Sequence, residues 1–449
     1  MKKFMVICAP VTSRSGYGDH ARDLFHSFYN TGKFNIQIWD VPWGDCPRDA
    51  LKSTSAKDNL ISSCILKNTQ LDRQPDVYVD IRIPNEFQQI GVFNIGITAG
   101  IETNAVSQAW IEGCNKMDLV IVPSKHSKDG FVNTIYDKIN NLPNGQQQKL
   151  GELKLEKPIE VLFEGVDTDV YKKLEKKDFN SDLLNVLDKE IPEDFLYLHV
   201  GQWTKGGFGE DRKDIGKLIK VFMESFANKK QKPALLLKTN GASFSVMDRE
   251  DCVRKIKDVK ALFPNDWDLP NIYLLHGSLS PSEMNELYNH EKVKTFISLT
   301  HGEGFGRPLL EATMVGLPVI SSNWSGQIDF LDTNRTLLLS GKLKDVPKSV
   351  VWKDIIIGES KWFVVDESNA YKTLNYSFEN HDTLKQKANE LMDINNKKFS
   401  LSHMTEKLDS ILDKYVGSSP TQVGLKLPKL KKVDKQEKPK IKLPKLKRV

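Results

Sequence analysis

Short apolar runs alternate with amphipathic helical stretches along most of the chain. Phe4–Ala9 reads as a first strand, followed by a Gly/Ser loop and a helix from about Asp19 to Tyr29. Further strands are predicted at Asn35–Asp40, Val77–Ile81, Val92–Ile97, Leu119–Val122 and Glu160–Phe163, with helices at Val106–Cys114 and Ser124–Thr134. The rhythm then repeats. Strands are predicted at Phe195–Val200, Ala234–Lys238, Ile272–Leu275, Thr295–Ser298 and Pro318–Ser321. Helices are predicted at Ile215–Ala227, Pro281–Asn289 and Pro308–Val315. Strands alternating with helices imply parallel sheets covered on both faces, and two such runs imply two doubly wound α/β domains.

The boundary is expected near Gly165–Lys176. The polar stretch Tyr136–Pro158 lacks clear periodicity and reads as an irregular excursion or a mobile loop. After Val350 the strand signal fades, and Asp382–Met392 and Leu401–Tyr415 are helical by spacing. The expected organisation is residues 1–168, residues 169–380, a helical segment at 381–416 that packs back across both domains, and a tail at 417–449.

A chain of 449 residues exceeds the size at which one core keeps growing, which agrees with more than one domain. With 39% hydrophobic and 27% charged residues the composition is that of an ordinary globular protein. No apolar run approaches the roughly 18 residues of a membrane span. The start, MKKFMVICAP, reads as a strand and not as a signal peptide. The five cysteines, Cys8, Cys46, Cys64, Cys114 and Cys252, are widely spaced and form no CxxC. That favours buried thiols in a reducing cytosol over a disulfide framework or a structural zinc site.

Charge changes the picture at one end. The formal net charge is +5, but Leu425–Val449 carries eleven Lys/Arg against Asp434 and Glu437. The body, with 53 basic and 57 acidic residues, is therefore at −4. Within the tail, KLPKLKKV at Lys426–Val433 returns as KLPKLKRV at Lys442–Val449. Its prolines forbid a continuous helix and its charge forbids a core, so disorder is expected until an anionic partner binds. Phosphate backbones and anionic lipid surfaces both suit it, and a solubilising or assembly role stays open.

The densest chemistry lies in HGEGFGRPLLEATMVGLPVISS, His301–Ser322, after a predicted strand. Gly302, Gly304 and Gly306 allow close backbone approach, and the helix that follows adds its positive end, which suits a phosphate. Glu303 and Glu311 are better placed to accept hydrogen bonds from hydroxyls, such as those of a sugar and a ribose. The ends of parallel strands are where such sheets bind ligands.

This segment resembles the E-x7-E signature of retaining GT-B glycosyltransferases, particularly the large family four group. The likeness extends through Leu196–Phe222, Phe163–Tyr171, the run from Gly277 into the signature, Asp118–Phe131 and the turn Ser15–Gly18. It implies two Rossmann-like domains facing across a cleft, and hexosyl transfer from a UDP- or GDP-sugar to an acceptor hydroxyl, without metal or other cofactor. It implies that Glu303 contacts the donor sugar and that Glu311 holds the ribose. The backbone around Gly304, Phe305 and Gly306 faces the donor, Lys213 and Arg212 neutralise the diphosphate, and Gly16 and Gly18 approach from the other domain. Gln202 stands where many relatives carry Arg, which shifts phosphate contact onto Lys213 or Lys205. Glu102 follows Ile101 where relatives carry His before Glu, and it is the candidate catalytic carboxylate of the acceptor side. His301 reads equally as a pocket residue or as a packed core histidine.

Asp167–Asp169 and Asp266–Asp268 look like DxD metal motifs but fall in an interdomain segment and a turn. The nine histidines form no ligand spacing, so no metal site is expected. The acceptor is left open among glycan, lipid, protein and nucleic acid, including a DNA base reached through the tail. A non-enzymatic nucleic-acid or anionic-surface binding protein on the same scaffold is a further alternative. The expected location is cytoplasmic, peripheral to membrane or nucleic acid if the tail docks there.

Overall fold

The computed structural model describes residues 2–68, 70–141, 147–241 and 243–417. The basic tail therefore lies outside the described residues. The first half carries β1 (Lys3–Ala9), α1 (Gly16–Asn30), β2 (Phe34–Asp40), α2 (Ala56–Cys64), β3 (Val77–Ile81), β4 (Phe93–Ile97), α3 (Gln108–Asn115), β5 (Leu119–Val122) and α4 (Lys125–Asn133). A hairpin, β6 (Tyr136–Asn141) and β7 (Gln147–Leu153), leads to β8 (Ile159–Val161). The second half begins with α5 (Leu183–Glu190), β9 (Leu196–Gln202), α6 (Ile215–Phe226), β10 (Ala234–Asn240), α7 (Val246–Lys260), β11 (Ile272–Leu275) and α8 (Pro281–Asn289). It continues through β12 (Val293–Ser298), α9 (Arg307–Met314), β13 (Val319–Ser322), β14 (Leu337–Leu339), β15 (Gly341–Asp345) and β16 (Lys361–Val365). Three helices close the described chain: α10 (Glu367–Glu379), α11 (His381–Lys398) and α12 (Leu401–Tyr415).

Two parallel six-stranded sheets result, in the orders β2-β1-β3-β4-β5-β8 and β11-β10-β9-β12-β13-β14. Both are Rossmann-like, and together they form the GT-B architecture. The central strands are buried on both faces because helices cover both sides: all of β3 is buried, as are Ala234–Thr239 of β10. Strand order decides which loops meet. In the second sheet the order reverses between β9 and β12, so the loops leaving these two strands open the crevice where doubly wound sheets bind ligands. In the first sheet the reversal lies between β1 and β3, beside the loop that enters α1.

The halves are tied by backbone as well as side chains. The stretch around Val166 exchanges hydrogen bonds with Phe399 and Leu401. Helix α12 buries Met404, Leu408, Ile411 and Leu412 in one cluster with Leu24, Phe25 and Phe28 of α1. Thr405 Oγ1 meets Ser27 Oγ at 3.0 Å.

Several expectations are corrected. The stretch Tyr136–Pro158 is neither an irregular excursion nor a loop throughout: β6 and β7 pair antiparallel across it. Most of β7 is exposed, so no hydrophobic alternation marks it. Strand structure also persists beyond Val350, where β16 pairs antiparallel with the polar β15. Helix α7 escapes sequence reading because only Cys252, Ile256 and Val259 are buried along fifteen residues. Its start is set by Ser245, whose side chain accepts from the Asp248 amide. The Ser15–Gly18 segment is the first turn of α1 and not a free turn, because Ser15 Oγ accepts from the Gly18 amide.

Leu408 of α12 is fully buried in the cluster that α12 shares with α1. Leu408→Ala should cost about 2–5 kcal/mol of stability, read as a lowered urea midpoint.

Candidate active site in the interdomain cleft

The loops leaving β9 and β12 bring Lys213 and Arg212 onto Glu303. Lys213 Nζ lies 2.5 Å from Glu303 Oε1, and Arg212 Nη1 lies 3.1 Å from Oε2. The two loops are fastened by their backbones, since the His301 amide donates to the Arg212 carbonyl at 2.8 Å. Lys213 and Glu303 are buried at 7% and 6% exposure. Burial alone would push the Glu303 carboxyl up, but Lys213 and Arg212 outweigh it and hold the group down at about 2. Burial lowers the Lys213 ammonium in turn, against the pull of Glu303. Glu303 is therefore held ionised by its two basic partners in a water-poor setting, where the field of such a cluster is strong.

Two of the four non-glycine residues with positive φ among the described residues lie beside this pair. Asp214, next to Lys213, has φ of 53°, and Ser325 has φ of 73°. The Ser325 hydroxyl accepts from the Glu303 amide at 2.9 Å. Residues outside glycine hold such angles only where surrounding structure enforces them. Here both angles fix the backbone that presents the Glu303–Lys213 pair.

The first sheet closes the cleft from the other side. Arg212 Nε faces Glu102 Oε1 at 3.7 Å. A Cβ on Gly302 would sit 2.0 Å from the Glu102 carbonyl oxygen, and one on Gly304 would sit 2.1 Å from that of Ala99. These glycines are thus required by close approach between domains. Ser124 Oγ donates to the Gly304 carbonyl at 2.6 Å. The glycine loop thus faces the backbone of the first sheet's loops. Gly306 caps α9 in the left-handed region, at φ of 97°.

Glu311 lies one turn into α9, buried, with Arg307 Nε at 3.1 Å and the Tyr288 hydroxyl at 3.2 Å. Burial raises its carboxyl while Arg307 opposes the rise. Arg307 also reaches Asp23 of α1 at 2.5 Å. Nearby Glu164, in the segment between the sheets, is pushed up to about 8 by burial, with Arg307 opposing the rise and Asp23 adding to it.

Each residue expected from sequence has a place. Glu303, Lys213, Arg212 and Glu102 converge. Glu311 belongs to the adjoining Arg307 cluster. Gly16 is exposed at the N-terminus of α1, whereas Gly18 is buried against the Ser13 carbonyl. The Phe305 side chain is core, packed on Phe330 with centroids 5.1 Å apart, so only its backbone borders the cleft. His301 is a packed histidine: it is fully buried, stacked on Trp362, and its Nδ1 meets the Phe363 carbonyl. Gln202 turns away to the Gly241 carbonyl, and Lys205 is exposed. Asp167 pairs with Lys57 and accepts from the Asp169 amide, which makes it a turn residue. Sequence reading passed over Arg307, Asp23, Glu164, Tyr288 and Ser325. Of these only Arg307 lies inside the signature, where its charge at a helix start was a usable signal.

Residues 266–346 match the family model for glycosyl transferases group 1. The fold is shared with several solved structures at low identity. Anabaena HepE, solved with UDP and glucose, superposes with a TM-score of 0.58 at 12% identity, covering 92% of this chain and all of that one. Sucrose-phosphate synthase from Thermosynechococcus elongatus gives 0.60 at 11%, covering 93% of this chain and all of the synthase. A glycosyltransferase from Rickettsia africae gives 0.58 at 12%, again covering 93% and 100%. No curated protein matches the sequence. The matched segment and the fold together define the class, a glycosyltransferase of GT-B architecture.

Because the Glu164 carboxyl is raised above its unfolded value, its contribution to stability is full below about pH 4.5 and is lost as pH rises through about 8. Glu164→Gln should flatten that part of the profile, leaving the variant more stable than the parent at pH 9 by thermal melting.

Proposed function

We propose that the chain is a retaining, metal-independent glycosyltransferase of the family four type. It takes a sugar from a UDP- or GDP-sugar and transfers it to an acceptor hydroxyl. The observation that carries this reading is the buried Glu303–Lys213–Arg212 cluster, placed where the strand order of the second sheet reverses. In this reading residues 169–380 bind the donor and residues 1–168 present the acceptor, with residues 381–416 bracing the two.

Glu303 accepts from hydroxyls of the donor sugar, and Glu311 accepts from the ribose. Lys213 and Arg212 face the diphosphate and stabilise the negative charge that it gains as its bond to the anomeric carbon breaks, the point at which fixed positive partners lower the barrier. The acceptor oxygen bonds to the same face of that carbon, and its proton passes to the departing phosphate oxygen. No enzymic nucleophile is needed. Glu102 sits on the acceptor side of Arg212 and is the candidate to orient the incoming hydroxyl. Supporting the donor class, HepE of the same fold was solved with UDP-glucose. Metal independence rests on these cations serving the diphosphate. Among the described residues no helix is long and apolar enough to cross a membrane. The partners assigned to the tail, nucleic acid or an anionic membrane surface, lie outside those residues.

A screen of nucleotide sugars with product analysis tests the reading. Glu303→Ala and Lys213→Ala should each lower kcat/KM for the working donor by about 100-fold or more, with unchanged circular dichroism. Full turnover in both variants, or an inverted anomeric configuration in the product, would overturn it.

A further inference from the structure

Arg307 breaks a local rule. It occupies the first helical position of α9, after Gly306, where the positive end of the helix disfavours a cation. Such an exception asks for compensation. The compensation comes from both domains: Asp23 Oδ2 of α1 lies 2.5 Å from Arg307 Nη1, while Glu311 Oε1 of α9 lies 3.1 Å from Nε. Asp23 and Arg307 are each 17% exposed at the side chain and Glu311 8%.

The form of the contact matters. A free guanidinium facing a carboxylate tends to take both oxygens at once in a fork. Here Asp23 holds an Nη nitrogen, so Arg307 presents only Nε to Oε1 of Glu311. The other oxygen, Oε2, is met by the Tyr288 hydroxyl from the side of α8. The Tyr171 hydroxyl faces the same carboxylate. A carboxylate offers about four lone-pair sites, so these three donors leave room for a further hydroxyl. Were Asp23 absent, the guanidinium would be released to close on both oxygens of Glu311 and fill those positions.

We propose that Arg307 is a positioning residue for the nucleotide site: Asp23 of the opposite domain restrains it to one oxygen of Glu311 and so keeps that carboxylate open to the ribose. This rests on the reading of Glu311 as the ribose ligand. The donor site is then completed by the first domain, although the donor itself lies on the second. Donor affinity depends on closure through a residue that never touches the donor.

The test is steady-state kinetics with UDP-glucose or GDP-mannose, whichever the parent chain turns over, on Asp23→Asn, Arg307→Met, the double variant and Glu311→Gln. Asp23→Asn should raise donor KM about tenfold while kcat changes less than about twofold. In the Arg307→Met background the same Asp23→Asn change should add nothing further, because the residue it restrains is gone. Should Asp23→Asn fail to fold, Asp23→Ser carries the same expectation for KM, since a neutral hydroxyl cannot hold the guanidinium away from Glu311. An unchanged KM in Asp23→Asn, or a full additional rise in the double variant, would overturn the proposal. If Glu311→Gln also leaves KM unchanged, the ribose reading itself has failed. If Glu311→Gln raises KM and Asp23→Asn does not, only the coupling through Arg307 has failed.

Discussion

A carboxylate buried against two cations is the constraint around which this cleft is built. Glu303 could not stay ionised at 6% exposure without Lys213 and Arg212, and removing one partner of such a pair typically costs about 3–5 kcal/mol. The pair exists only because β9 and β12 are neighbours, so the sheet order is a precondition of the charge arrangement. The strained Asp214 and Ser325 and the backbone bond between His301 and Arg212 all hold this one geometry. A buried ion pair is a weak source of net stability. Its retention here fits a group that exchanges partners when a charged, hydroxyl-rich ligand arrives.

Closure between the domains follows the same physics. Gly302 and Gly304 lack side chains at the two points where opposing carbonyls come within about 2 Å of a would-be Cβ. Glu102 extends the ion cluster across the cleft, and Arg307 does so at the other end of the signature. Glu164 near Arg307, pushed up to about 8 by burial, makes that end of the interface sensitive to proton loss as pH rises.

Much of this was legible in the sequence because the signal was local. Strand–helix alternation marked every strand of both sheets except β14, and the acids, glycines and proline between His301 and Glu311 marked the loop after β12. What escaped reading has physical reasons. The β6–β7 hairpin and β15 are largely exposed and lack apolar alternation. Helix α7 is recognised by its Ser245 cap more than by its thin apolar stripe. Phe305 sits in the signature yet packs into the core, since a loop at a sheet edge sends its side chains both ways. The pairing of Glu303 with Lys213, ninety residues apart, could be suggested by resemblance but not by spacing. The Asp23–Arg307 contact joins two domains, and no pattern within either one announces it.

The exchange of partners at Glu303 is most directly tested by titrating its side-chain carbon by NMR with and without bound nucleoside diphosphate. In the free chain the carboxyl should titrate at about 2, held there by Lys213 and Arg212 against burial. Bound diphosphate should draw both cations away and raise that value measurably. A value that stays at about 2 with the diphosphate in place would contradict the exchange.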